Sequence, residues 1–95
     1  FYKELANQGV SAADIPVMAF SVGEEELSGI DTKPLVGHLA AWNYFMSVDT
    51  PANKAFIKKW HAYIKNNKRV TNDPMEAHYI GFNLWVKAVE KAKKL

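Results

Sequence analysis

The sequence predicts an α/β chain in the order helix, strand, short helix, strand, helix, helix. Three observations carry that reading. Residues 15–20 form a short apolar run of strand length, bounded by turn residues on both sides. Two longer amphipathic stretches each open on a cap residue and a proline, at Thr50-Pro51 and at Asp73-Pro74. The composition, 48% hydrophobic and 23% charged over 95 residues, is that of an ordinary folded globule. Disorder of the whole chain is thereby excluded.

The elements follow in order. Phe1, Tyr2, Leu5 and Ala6 share one helical face, and Gly9 stands where a left-handed C-cap residue belongs. Nothing before Phe1 caps this helix, and the last helical pattern runs through Lys91, Lys93 and Lys94 to Leu95 without a Gly or Pro stop. Both ends lead to the expectation of a piece of a longer protein. After Ser11 and Asp14, residues 15–20 predict a buried strand that ends at Ser21-Val22-Gly23. Glu24, Glu25 and Glu26 suit the first turn of a short helix, where the positive end of the dipole stabilises carboxylates. Gly29 and Pro34 break that helix, and residues 37–45 predict a second strand with Trp42, Tyr44 and Phe45 on different faces.

The third helix starts at Thr50-Pro51, with Ala52, Phe56, Trp60, Tyr63 and Ile64 as its expected buried stripe. Lys54, Lys58, His61 and Lys65 form the expected wet face. The fourth is expected to open on a capping box, Asp73 as cap and Glu76 three residues on, worth about 1 kcal/mol. Ile80, Phe82, Leu84, Trp85, Val86, Ala88 and Val89 nearly surround it, leaving a polar line through Glu76, Asn83, Lys87, Glu90 and Lys94. A helix this apolar expects partners on more than one side.

Most candidate chemistry has a plainer structural reading. With no Cys there is no disulfide framework, thiolate zinc site or thiol nucleophile. His78, Glu76 and Asp73 do not make a metal site, because the cap already accounts for the two acids and residues two apart on a helix diverge. No metal or cofactor is expected. Glu24, Glu25 and Glu26 lack a second acid or nucleophile at a telling spacing, so no catalytic residue is assigned and the chain is read as a non-enzyme. Lys58, Lys59, Lys65, Lys68 and Arg69 around Trp60 and Tyr63 suggest a nucleic-acid surface, but cations gather at helix C-termini and the aromatics belong to the stripe. A net charge of +2 implies neither a nucleic-acid nor a membrane partner. No apolar run approaches the roughly 20 residues of a spanning helix, and Phe1-Tyr2-Lys3-Glu4 does not begin a signal peptide.

What remains is Ser21-Val22-Gly23, the carboxyl end of a strand leading into a helix, where open α/β folds receive ligands on backbone N–H groups and short polar side chains. Every α/β domain has several such corners, so the corner alone is a weak signal.

Longer strings add to it. These are Phe1-Tyr2-Lys3-Glu4-Leu5, then Ala19-Phe20-Ser21-Val22-Gly23-Glu24-Glu25-Glu26-Leu27, then Gly37-His38-Leu39-Ala40-Ala41-Trp42-Asn43-Tyr44-Phe45. Ser47-Val48-Asp49-Thr50-Pro51-Ala52-Asn53-Lys54 and Val70-Thr71-Asn72-Asp73-Pro74-Met75-Glu76-Ala77 complete the set. Together they resemble the urea and short-amide group of ABC-transporter substrate-binding proteins, within the type I periplasmic binding proteins. The resemblance spans nearly the whole chain.

That resemblance implies a fragment of a two-lobed receptor whose α/β lobes close on a ligand. Residues 1–46 would belong to the second lobe, and residues 47–95 would supply the crossover, near residues 46–49, and two helices of the first. The partners implied are urea or a small amide and an ABC permease, with no nucleic acid. The compartment implied is periplasmic, or extracellular and membrane-associated. In amino-acid-binding relatives an acid at this strand end pairs with the ligand's ammonium; here the matching position falls at Ser21. A hydroxyl and backbone groups suit a neutral ligand, since an unpaired buried carboxylate costs several kcal/mol. The ligand-binding residues expected are Phe20, Ser21 and Val22, with Glu24 as the next candidate.

Two other functions compete. A cytoplasmic amide-sensing regulator would share the fold, and an upstream secretory signal would separate the two. A basic helical nucleic-acid-binding module would show steep salt dependence. Trp42, Tyr44, Phe82 and Trp85 are expected to lack their native partners, which predicts a dimer or higher oligomer of this chain.

Overall fold

The computed structural model describes residues 1–95 and divides into two compact units, Phe1–Asn43 and Tyr44–Leu95. The first unit holds α1 (Tyr2–Asn7), β1 (Met18–Ala19), α2 (Glu24–Leu27), a single 3₁₀ turn at Lys33–Leu35 and β2 (Leu39–Ala40). The second holds α3 (Pro51–Ile64) and α4 (Asp73–Ala92). The class is mixed helix and small parallel sheet, in the element order that the sequence predicts.

In the first unit, Gln8 ends α1 and Gly9 follows in the left-handed region at φ 74°, the conformation expected of a glycine there. β1 and β2 pair in parallel, Met18 opposite Leu39 and Ala19 opposite Ala40. Leu39 N–H donates to Val17 O and Ala41 N–H to Ala19 O, both at 2.9 Å. The strands are much shorter than the apolar runs that predict them. In a two-stranded sheet each strand has one neighbour only, and pairing ends where the chain leaves that neighbour at Trp42. Burial is also less than expected: Phe20 is 73% and Leu39 51% exposed. His38 ties the start of the ladder, since Val17 N–H donates to its Nδ1 at 3.0 Å while its ring lies 5.2 Å from that of Tyr2.

In the second unit the start of α3 is as expected. Thr50 caps it, its hydroxyl accepting from Asn53 N–H at 3.2 Å, with Pro51 first in the helix. The buried stripe needs correction. Phe56, Trp60 and Ile64 are half-buried, but Ala52 is exposed and Tyr63 is 84% exposed. At about 100° per residue, Asn53, Phe56, Trp60 and Ile64 point one way, while Ala52 and Tyr63 fall well to the side. The face is centred on a polar residue, Asn53, 7% exposed.

The cap of α4 also shifts. Asn72, not Asp73, is the cap, and its Oδ1 accepts from Met75 N–H at 3.1 Å. Glu76 N–H bonds Asn72 O at 3.1 Å, so it is already spent within the helix and unavailable to an Asp73 cap. Phe56 and Tyr79 stack at 4.8 Å, joining α3 to α4. Ile80, Phe82, Leu84 and Trp85 are exposed, so the apolar residues that nearly surround this helix are not all covered.

Candidate functional site

Parallel pairing puts the carboxyl ends of β1 and β2 side by side, with Phe20-Ser21 next to Ala41-Trp42. That is the edge on which an open α/β sheet receives ligands. Phe20 and Ser21 are exposed, Val22 is half-buried, and Glu24 is the half-buried first residue of α2. The corner therefore presents an exposed hydroxyl at Ser21.

Gly23 shapes the corner. It is buried, and a Cβ built on it would lie 3.5 Å from Cζ3 of Trp42, so the indole covers it closely. Its N–H donates to Glu26 Oε2 at 2.8 Å. One carboxylate of the acidic triplet is thereby committed to the protein's own backbone at the helix start. Trp42 was legible only as a strand aromatic; its approach to Gly23 depends on the turn after β2.

Elsewhere the first unit carries two exposed carboxylates with lowered pKa. Asp14 accepts from the Ser11 hydroxyl and from Ser11 N–H at 3.1 Å, and these bonds hold its carboxyl below the ordinary aspartate value. Glu4 accepts from Gln8 at 2.8 Å and Asn7 at 3.3 Å and is lowered for the same reason. Asp14 closes the turn from Ser11, Glu4 links side chains along α1, and both face water.

The second unit contains a polar cluster that residue periodicity does not announce. Tyr44 is 6%, Asn53 7% and Thr71 0% exposed. Asn53 Nδ2 donates to Met46 O at 2.9 Å and Val48 O at 2.8 Å, which fixes its Oδ1 as the acceptor. Tyr44 then donates to Oδ1 at 2.7 Å and accepts from the Thr71 hydroxyl at 2.7 Å. Close by, a groove of about 560 Å³ is lined by Phe56, Trp60, Asn72, Met75, His78 and Tyr79. His78 spends Nδ1 on Pro74 O at 2.7 Å. No group of three or more His, Cys, Asp or Glu side chains is placed to hold a metal ion, and no helix is long and apolar enough to cross a membrane.

A family model described as a periplasmic binding protein domain matches residues 1–95.

Proposed function

Because the chain belongs to the periplasmic binding protein domain family over its whole length, we propose that it is part of a receptor for urea or a short amide. Domains of this family bind small solutes and usually work with ABC permeases; they are generally non-catalytic and periplasmic. The finer reading is a solute-binding protein that captures its ligand by hydrogen bonds in a cleft between lobes, without catalysis, and delivers it to a permease. Residues 1–46 contribute to the second lobe, and residues 47–95 supply the crossover and two helices of the first.

The observation that carries the choice of ligand is Ser21. It stands exposed at the carboxyl end of β1, where an ammonium-binding site needs an acid. Urea offers four N–H donors and one carbonyl acceptor without charge, and a hydroxyl with neighbouring backbone groups matches that set. Phe20, Val22 and Glu24 are the other residues assigned to this corner, Phe20 exposed and the other two half-buried. Isothermal calorimetry on the receptor containing this chain tests the reading with urea, acetamide and leucine. Heat with urea or acetamide and none with leucine is the expected outcome; binding of leucine alone overturns it.

A further inference from the structure

We propose that residues 44–50 form a rigid strap clamped by Asn53. One side chain and its own amide reach every second residue of the segment. Asn53 Oδ1 takes the Tyr44 hydroxyl at 2.7 Å. Nδ2 bonds Met46 O at 2.9 Å and Val48 O at 2.8 Å. The Asn53 amide bonds the Thr50 hydroxyl at 3.2 Å. Positions 44, 46, 48 and 50 are thus all tied to the first turn of α3.

The strap is also closed on itself, with Val48 N–H on Phe45 O and Thr50 N–H on Val48 O, both at 3.1 Å. The bond between Tyr44 and Asn53 is buried, where water competes little; the bonds to Met46, Val48 and Thr50 are partly buried. The Thr71 hydroxyl braces Tyr44 from the start of α4, across 27 residues of sequence.

Backbone relaxation by nuclear magnetic resonance on the full chain, with amide hydrogen exchange, tests the proposal. Rigid backbone gives order parameters of about 0.85 and flexible backbone values below about 0.6. Residues 45–49 are expected near the rigid value. Asn53→Asp keeps an acceptor for Tyr44 but loses both Nδ2 donors; it is expected to speed exchange of the Val48 amide by about tenfold or more. Order parameters below about 0.6 for residues 45–49 in the wild type overturn the proposal. So does unchanged Val48 exchange in a folded Asn53→Asp chain. Should that variant fail to fold, the wild-type relaxation values decide alone. A failure of urea binding leaves all these values untouched, so the two readings fail separately.

Discussion

Tyr44 and Thr71 share a hydrogen bond of 2.7 Å between their hydroxyls, in a site where Thr71 has no exposed surface at all. The direction of that bond follows from its neighbour. Asn53 spends both Nδ2 hydrogens on the carbonyls of Met46 and Val48, so Tyr44 donates to Asn53 Oδ1 and must accept from Thr71. A turn before α3, the first turn of α3 and the start of α4 are thereby joined by one ordered chain of donors.

The two ends of that chain differ in what their loss leaves behind. Thr71→Val removes a donor while Tyr44 keeps its bond to Asn53, and is expected to cost about 1 kcal/mol. Tyr44→Phe strands Asn53 Oδ1 and the Thr71 hydroxyl together in a buried site and is expected to cost about 1–3 kcal/mol. Thermal melts compare them: at about 4–8 °C per kcal/mol for a domain of this size, Tyr44→Phe melts lower than Thr71→Val. Equal melting temperatures would count against the assigned direction.

The cap of α4 gives a second prediction. Asn72→Ala removes the acceptor for Met75 N–H and is expected to cost about 1 kcal/mol, whereas Asn72→Asp keeps it and is expected to be nearly neutral. Chemical denaturation of both variants measures the difference.

A third concerns Asp14, whose pKa is lowered chiefly by the Ser11 hydroxyl and next by Ser11 N–H. A folded-state pKa below the unfolded one means that this turn's contribution is present above the unfolded aspartate value. It is lost as the pH falls through the folded value. Ser11→Ala removes the larger of the two bonds, so the Asp14 carboxyl is expected to titrate at a higher pH than in the wild type. Carbon-detected magnetic resonance titration reads this directly, and an unmoved Asp14 would show that the serine hydroxyl is not the cause.

A fourth concerns association. Phe82 is 64% and Trp85 54% exposed with their rings 5.9 Å apart on one side of α4, and Leu84 is 62% exposed on another side; exposed apolar surface of this kind self-associates in water. These 95 residues alone are expected to form dimers or larger species. Leu84→Lys with Phe82→Lys is expected to shift them toward monomer. Light scattering over a concentration series measures both, and a wild-type monomer at high concentration would refute the expectation.

How much of this was legible depended on what kind of signal each residue carries. The start of α3 could be read because Thr50-Pro51 has local chemistry that acts the same in any context. The cap of α4 falls one residue earlier than the sequence predicts because Asn72 and Asp73 are both good caps, and it is the bonds from Met75 N–H and Glu76 N–H to Asn72 that separate them. The tilt of the α3 face was missed because apolar periodicity is blind to Asn53, a polar residue at the centre of the buried side. Strand extents were overread, since pairing depends on a neighbour that the run itself does not encode. The corner at Phe20, Ser21, Val22 and Glu24 was readable as a strand end before a helix, but the cover that Trp42 gives Gly23 was not.

The most direct test of the account is urea calorimetry on the receptor containing this chain, wild type against Ser21→Ala. Loss of one neutral hydrogen bond is worth about 1.4 kcal/mol at the upper end, or one decade in affinity. On the proposed reading the isolated 95 residues would carry part of one wall, and two or three such bonds do not offset the several kcal/mol lost on immobilising a ligand. The account predicts measurable urea binding by the receptor, roughly tenfold weaker binding in Ser21→Ala, and little or none by the isolated chain. Unchanged affinity in Ser21→Ala, or micromolar urea binding by the isolated chain, would contradict it.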